Sequence, residues 1–120
     1  MLDQINIENF KNLISLNIDA SQLKKLPQLD NLKKLKKLKL GNMKKWENPE
    51  VLQTLPVLEE LELQEINTKL KAEQFFFLAE MTTLKTLDFR FMDFNKNRIE
   101  KLINYFKLTG KEDILKNKPN

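Results

Sequence analysis

The chain has 120 residues and a formal net charge of +4, and it contains no cysteine and no histidine. This length suits one domain that can bury an apolar core without disulfides or a structural metal. The absence of thiols and imidazoles excludes cysteine nucleophiles, zinc sites built on sulfur or nitrogen ligands, and Ser-His or Cys-His catalytic pairs.

The N-terminal residues lack the basic start and the apolar segment of a signal peptide. No apolar run approaches the roughly 20 residues that span a bilayer. These features predict a cytoplasmic protein with no membrane association. The apolar residues Ile5, Ile7 and Phe10 are expected to cover the N-terminal end of the core.

A short pattern, apolar-x-x-apolar-x-apolar, then occurs four times along the chain. The copies begin at Leu13, Leu35, Leu58 and Leu84, with spacings of 22, 23 and 26 residues. A helix is a poor explanation, because residues three apart slip back by about 60° at each step and would circle the axis. A three-residue step followed by a two-residue step fits a chain that turns and then runs as a strand.

The pattern resembles the leucine-rich repeat family, whose unit is L-x-x-L-x-L-x-x-N-x-L over about 20 to 29 residues. The resemblance covers about residues 10 to 108. It implies a right-handed α/β solenoid with about four parallel strands on the concave face and short helices on the convex face. The position of the family's Asn falls on Ser21, Met43, Ile66 and Met92, so we expect apolar packing there.

The resemblance also divides the chain as a single domain over residues 1–120. Residues 1–12 would form an N-terminal cap or a partial repeat, 13–94 four strand-bearing repeats, and 95–120 a C-terminal capping helix with a tail. Of the connecting segments, the one from Leu23 to Pro27 is expected to be irregular or to form one 3₁₀-like turn, because Pro27 blocks a continuing helix.

Three helices are expected after the second strand. Asn48 followed by Pro49 is typical of a helix start, and this helix should end near Leu55. A longer helix should span residues 72 to 80. In the last helix, Asn97 and Glu100 resemble a capping box, and Gly110 is a stop. Its apolar face consists of Ile99, Leu102, Ile103 and Phe106.

The residues between the strand leucines should lie on the exposed face of the sheet. Lys37 and Lys39 would then lie beside Glu60 and Glu62, with Asp88 and Arg90 on the fourth strand. Two interpretations remain open. The charged rows form a surface that steers a charged partner, or the basic and acidic strands simply complement each other at about 0.2 to 1 kcal/mol per pair.

Several aromatic residues fall outside the leucine pattern. Trp46 and Phe91 are candidate contacts with a partner, because aromatic side chains often anchor interfaces, and packing under a loop or cap is the alternative. In Phe75, Phe76 and Phe77 we expect core packing, with one ring partly exposed.

No catalytic motif, phosphate loop or calcium loop occurs. We therefore expect a protein that is not an enzyme and needs no cofactor or metal, and that binds another protein. An immunity-type protein or inhibitor that neutralises a toxin or enzyme is the alternative, and self-association is a third hypothesis. Nucleic-acid binding is disfavoured, because only two of the 21 basic residues are arginine. The candidate protein-binding residues are Lys37, Lys39, Trp46, Glu60, Glu62, Asp88, Arg90 and Phe91.

Overall fold

The computed structural model describes residues 11–91 and 96–116, with the side chains of all of them except Arg90, Phe91 and Lys96. Most of the expected N-terminal cap or partial repeat, residues 1–10 of 1–12, therefore lies outside the described residues. Within these ranges, no helix has both the length and the apolar character needed to cross a membrane.

The described part of the chain forms an α/β fold with a five-stranded, all-parallel sheet in the order β1-β2-β3-β4-β5. The strands are β1 (Ser15–Asp19), β2 (Lys37–Gly41), β3 (Glu60–Gln64), β4 (Thr86–Phe91) and β5 (Leu115–Lys116). The first four coincide with the predicted strands. The two-residue β5 was not predicted; Leu115 lies beside Leu87 and is buried there.

The strand leucines align in register across the sheet. Leu16, Leu38, Leu61 and Leu87 form one such row. The register shifts between Glu62 and Gln64, because Gln64 pairs with Phe91. Strict alternation in both strands would place Arg90 opposite Gln64, but Phe91 takes this position. Phe91 is the last residue of β4.

The connection from β1 to β2 buries a side chain at every third residue. From β1 to β2 these residues are Ala20, Leu23, Leu26, Leu29, Leu32 and Leu35. Backbone N–H groups bond to the carbonyl three residues earlier, as from Leu23 to Ala20 and from Leu32 to Leu29. Each such turn brings the chain back to the same face. The segment has no helix, as predicted.

The two connections after β2 contain 3₁₀ helices, at Pro49–Thr54 and Ala72–Glu80. In the longer one, Ala72, Phe75 and Leu78 are buried. This spacing of three matches the three residues per turn of a 3₁₀ helix, which explains why the segment is not an α-helix. Phe75 is buried and Phe76 and Phe77 are half-buried, so two rings of the triplet are partly exposed instead of one.

The predicted C-terminal helix is α1, Lys96–Leu108. Ile99, Leu102 and Phe106 are buried, and the helix packs against Ala72–Glu80. Asn97 lies inside α1 and not at its cap. Gly110 has a φ of 73°, and the backbone N–H of Lys111 donates to the carbonyl of Phe106, so the helix ends at a glycine in the left-handed region.

Polar side chains join successive connections at intervals of 21 to 25 residues. Asn48 does not cap the 3₁₀ helix that follows it. Its side chain instead accepts from Leu26 N at 3.0 Å and donates to Leu26 O at 2.9 Å. Thr54 Oγ1 accepts a hydrogen bond from Leu29 N, and Asn67 Nδ2 donates one to Trp46 O.

Met43 and Ile66 are buried, so the predicted apolar packing is present at these two positions.

Candidate binding surface

Alternate residues of the strands form an exposed polar face, which we call the sheet face. Successive residues of a strand point to opposite sides, so the apolar side chains of the strands face the core and the polar ones face outward. The outward side chains line a shallow depression that includes Ser15, Asn17, Lys37, Lys39, Glu60, Glu62, Thr86, Asp88 and Lys116. Five of the eight predicted binding residues are thus brought together on one surface.

The central part of the sheet face is a set of ion pairs between β2 and β3. Lys37 Nζ lies 3.4 Å from Glu60 Oε2, and Lys39 Nζ lies 3.5 Å from Glu62 Oε2. These distances follow from the register, which places Lys37 opposite Glu60 and Lys39 opposite Glu62. The structure therefore supports the interpretation that the basic strand β2 and the acidic strand β3 complement each other.

These ion pairs remain accessible to solvent. The side chains of Lys37 and Glu60 are 61% and 47% exposed. Exposed pairs of this kind contribute about 0 to 1 kcal/mol each, because water and salt screen them. A partner that offers its own charges can therefore replace these contacts at little cost in free energy.

The margins of the sheet face carry a different chemistry. Ser15 and Asn17 on β1 and Thr86 on β4 offer neutral hydrogen-bonding groups. Asp88 is half-buried and lies beside Lys116 of β5 in the register. Lys116 was not predicted to contribute, because no alternating apolar pattern indicates a strand in the C-terminal tail.

Trp46 lies in the core and not on the surface. Its side chain is fully buried, and its ring meets that of Phe75 edge-on with centroids 6.5 Å apart. A buried ring cannot contact a partner. Trp46 therefore packs in the core, which was the alternative prediction for this residue. The three-residue spacing from Met43 through Trp46 to Pro49, all buried, is the sequence signal that could have placed it there.

Arg90 and Phe91 lie in β4, and their side chains are outside the described part of the structure.

In the described ranges, no group of three or more Asp or Glu side chains is placed to hold a metal ion. The buried residues in those ranges are all apolar. The polar residues of the described structure are therefore all exposed or half-buried.

A second charged contact joins Ala72–Glu80 to α1. Lys101 Nζ donates to Glu73 Oε2 at 2.6 Å. This hydrogen bond lowers the pKa of the Glu73 carboxyl from its ordinary value, with smaller help from a backbone hydrogen bond and from the charges of Lys101 and Lys71.

Two comparisons with known proteins found no match. No protein-family model matches the chain, and a search of curated proteins finds no match.

Proposed function

We propose that this protein is a leucine-rich-repeat solenoid that binds a partner protein through the sheet face and its edges, without catalysis. The observation that carries the proposal is the arrangement of the strands. Each of the first four presents its outward side chains on a common open face at a fixed spacing. A rigid scaffold of this kind loses little conformational entropy when it binds.

Three features support the repeat architecture. The strands follow one another in sequence order, their apolar pattern recurs every 22 to 26 residues, and polar side chains bond across one such interval. Quasi-one-dimensional repeat folds are built in this way, with each unit contacting its neighbours.

The carboxylates of the sheet face support binding over catalysis. Glu60 and Glu62 each face a lysine, and Gln64 donates a hydrogen bond to Glu62. Neither carboxylate is buried, and each lies within salt-bridge distance of a lysine on the neighbouring strand. Their arrangement suits recognition of polar and charged groups.

A charge-swap variant tests the proposal. Lys37→Glu, Lys39→Glu, Glu60→Lys and Glu62→Lys together keep the net charge and the cross-strand pairs but reverse the charge pattern of the sheet face. As a matched control, Lys44→Glu with Glu65→Lys and Lys101→Glu with Glu73→Lys swap two pairs away from this face. Far-UV circular dichroism shows whether each variant keeps the wild-type fold.

Each protein is immobilised, and partners are captured from native lysate, identified, and measured by calorimetry. We expect wild type and control to retain the same partner, and the swapped variant to bind it at least about tenfold more weakly. Equal binding by the swapped variant, or no specific partner for the wild type, contradicts the proposal. If the partner is a toxin or enzyme that loses activity on binding, the protein acts as an inhibitor or immunity-type protein.

A further inference from the structure

The lysines between residues 24 and 45 fall into two groups in the structure. Four of them, Lys36, Lys37, Lys39 and Lys44, each lie within salt-bridge distance of a glutamate. Lys33 and Lys34, next to them in the sequence, form no salt bridge with any described residue. The glutamates within residues 59–65 therefore neutralise only some of these lysines.

Lys33 and Lys34 converge with Lys11 in one place. These three residues, which we call the lysine cluster, line a shallow concavity with Asn12 and Asn31 at the N-terminal ends of β1 and β2. All five residues are exposed, and the described part of the lining contains no carboxylate.

The lysine cluster forms no salt bridge within the described part of the chain. The side chains that anchor this segment are the buried Leu32 and Leu35. Positive charges that share a concavity repel one another, and screening at physiological salt acts over about 8 Å, which leaves close neighbours coupled. An anionic group placed between them would remove this repulsion.

We propose that the lysine cluster binds an acidic segment of the partner protein, with Asp or Glu carboxylates against the three ammonium groups. The Asn12 and Asn31 amides can donate further hydrogen bonds to the same carboxylates. This inference rests on the proposed function and adds the chemical character of the partner.

The surroundings of the cluster favour a protein over a nucleic acid. The next lysines, Lys36 and Lys37, lie against Glu59 and Glu60, so a phosphate backbone that ran on from the cluster would meet carboxylates. None of the described residues that line the concavity is aromatic, so the described lining offers bases no ring to stack on. A few carboxylates of a short acidic segment need only the cluster itself.

A fluorescein-labelled oligoglutamate peptide is the probe, with binding measured by fluorescence anisotropy at low salt. We expect Lys33→Glu with Lys34→Glu to weaken binding about tenfold, because two attractive charges become repulsive. The control, Lys69→Glu with Lys111→Glu, changes the net charge equally at exposed lysines that form no salt bridge with described residues, and should weaken binding less than about twofold. Lys33→Arg with Lys34→Arg should bind as wild type does.

Equal weakening by both reversed pairs would mean attraction to the overall charge and would overturn the inference. No binding of the peptide to the wild type would overturn it too. An oligothymidylate probe that binds more tightly than the peptide, and loses binding in the Lys33→Glu, Lys34→Glu variant, would assign the cluster to nucleic acid instead.

The charge-swapped sheet face separates this inference from the proposed function. The swap should leave peptide binding at the cluster unchanged. If the captured partner depends on the sheet face but not on Lys33 and Lys34, the cluster inference fails and the proposed function stands.

Discussion

At the scale of single residues, Trp46 combines full burial with an unmet hydrogen bond. Its indole Nε1 has no hydrogen-bond partner among the described residues. A buried donor without a partner costs about 1 to 3 kcal/mol, whereas the rest of the ring fills the core beside Phe75. The two contributions of this side chain to stability therefore have opposite signs.

Trp46→Ala should lower the free energy of unfolding by about 3 to 5 kcal/mol, because it leaves a large cavity. Trp46→Phe should stay within about 1.5 kcal/mol of wild type, since removal of the unpaired N–H offsets the smaller ring. Urea unfolding followed by far-UV circular dichroism measures both. If Trp46→Phe costs as much as Trp46→Ala, the indole N–H has a partner in solution.

The two glycines of the chain make a matched pair at the same scale. A Cβ added at Gly41 or at Gly110 meets no atom within 4 Å, and only Gly110 has a positive φ, of 73°. Gly110→Ala should therefore destabilise the protein by about 1 kcal/mol, whereas Gly41→Ala should change its stability by less than about 0.5 kcal/mol. Thermal unfolding measures this difference, and an equal effect at both sites would contradict the left-handed helix end.

At the scale of elements, the contact between Ala72–Glu80 and α1 has a pH-dependent component. Lys101 lowers the pKa of Glu73. Since the folded-state pKa lies below the unfolded one, the stabilisation is present above the unfolded value and is lost as the pH falls through the folded value. The contact between the two elements should therefore weaken under acidic conditions.

Lys101→Met should raise the pKa of Glu73 toward its ordinary value, because the charged hydrogen bond is its main cause. An NMR titration of the Glu73 carboxyl carbon measures the shift. Lys107→Met is the control, since Lys107 pairs with Glu112 and not with Glu73. An unchanged pKa in Lys101→Met would mean that this contact between the elements does not form in solution.

At the scale of the whole molecule, one continuous apolar cluster runs from Ala20 to Leu115 and includes the buried face of α1. Trp46, the single tryptophan, lies within this cluster and reports on it by fluorescence. Because α1 packs against Ala72–Glu80, which itself packs against Pro49–Thr54, a change in α1 should reach the surroundings of Trp46.

Leu102→Ala in α1 should lower the free energy of unfolding by about 2 to 5 kcal/mol when it is measured by Trp46 fluorescence. Leu108→Ala, on the same helix at a side chain that is 85% exposed, should change it by less than about 0.5 kcal/mol. If Leu102→Ala abolishes the helical signal of α1 in circular dichroism but leaves the unfolding transition of Trp46 fluorescence unchanged, the C-terminal end unfolds independently of the rest.

The positions of the first four strands could be predicted from the sequence, because a two-residue alternation of leucine and polar side chains leaves one face to bury. The same alternation placed Lys37 and Lys39 opposite Glu60 and Glu62, since spacings of 22 and 23 residues return the chain to equivalent positions. The helix around Leu102 and Phe106 was also predictable from its apolar face.

Tertiary packing alone decided the short β5 and the register shift at Gln64. These features depend on what lies across the core or at the sheet edge, and a local pattern carries no such information. The side chain of Asn48 is an example: its sequence neighbours predict a helix cap, yet the backbone of Leu26, 22 residues away, lies within reach and takes its hydrogen bonds.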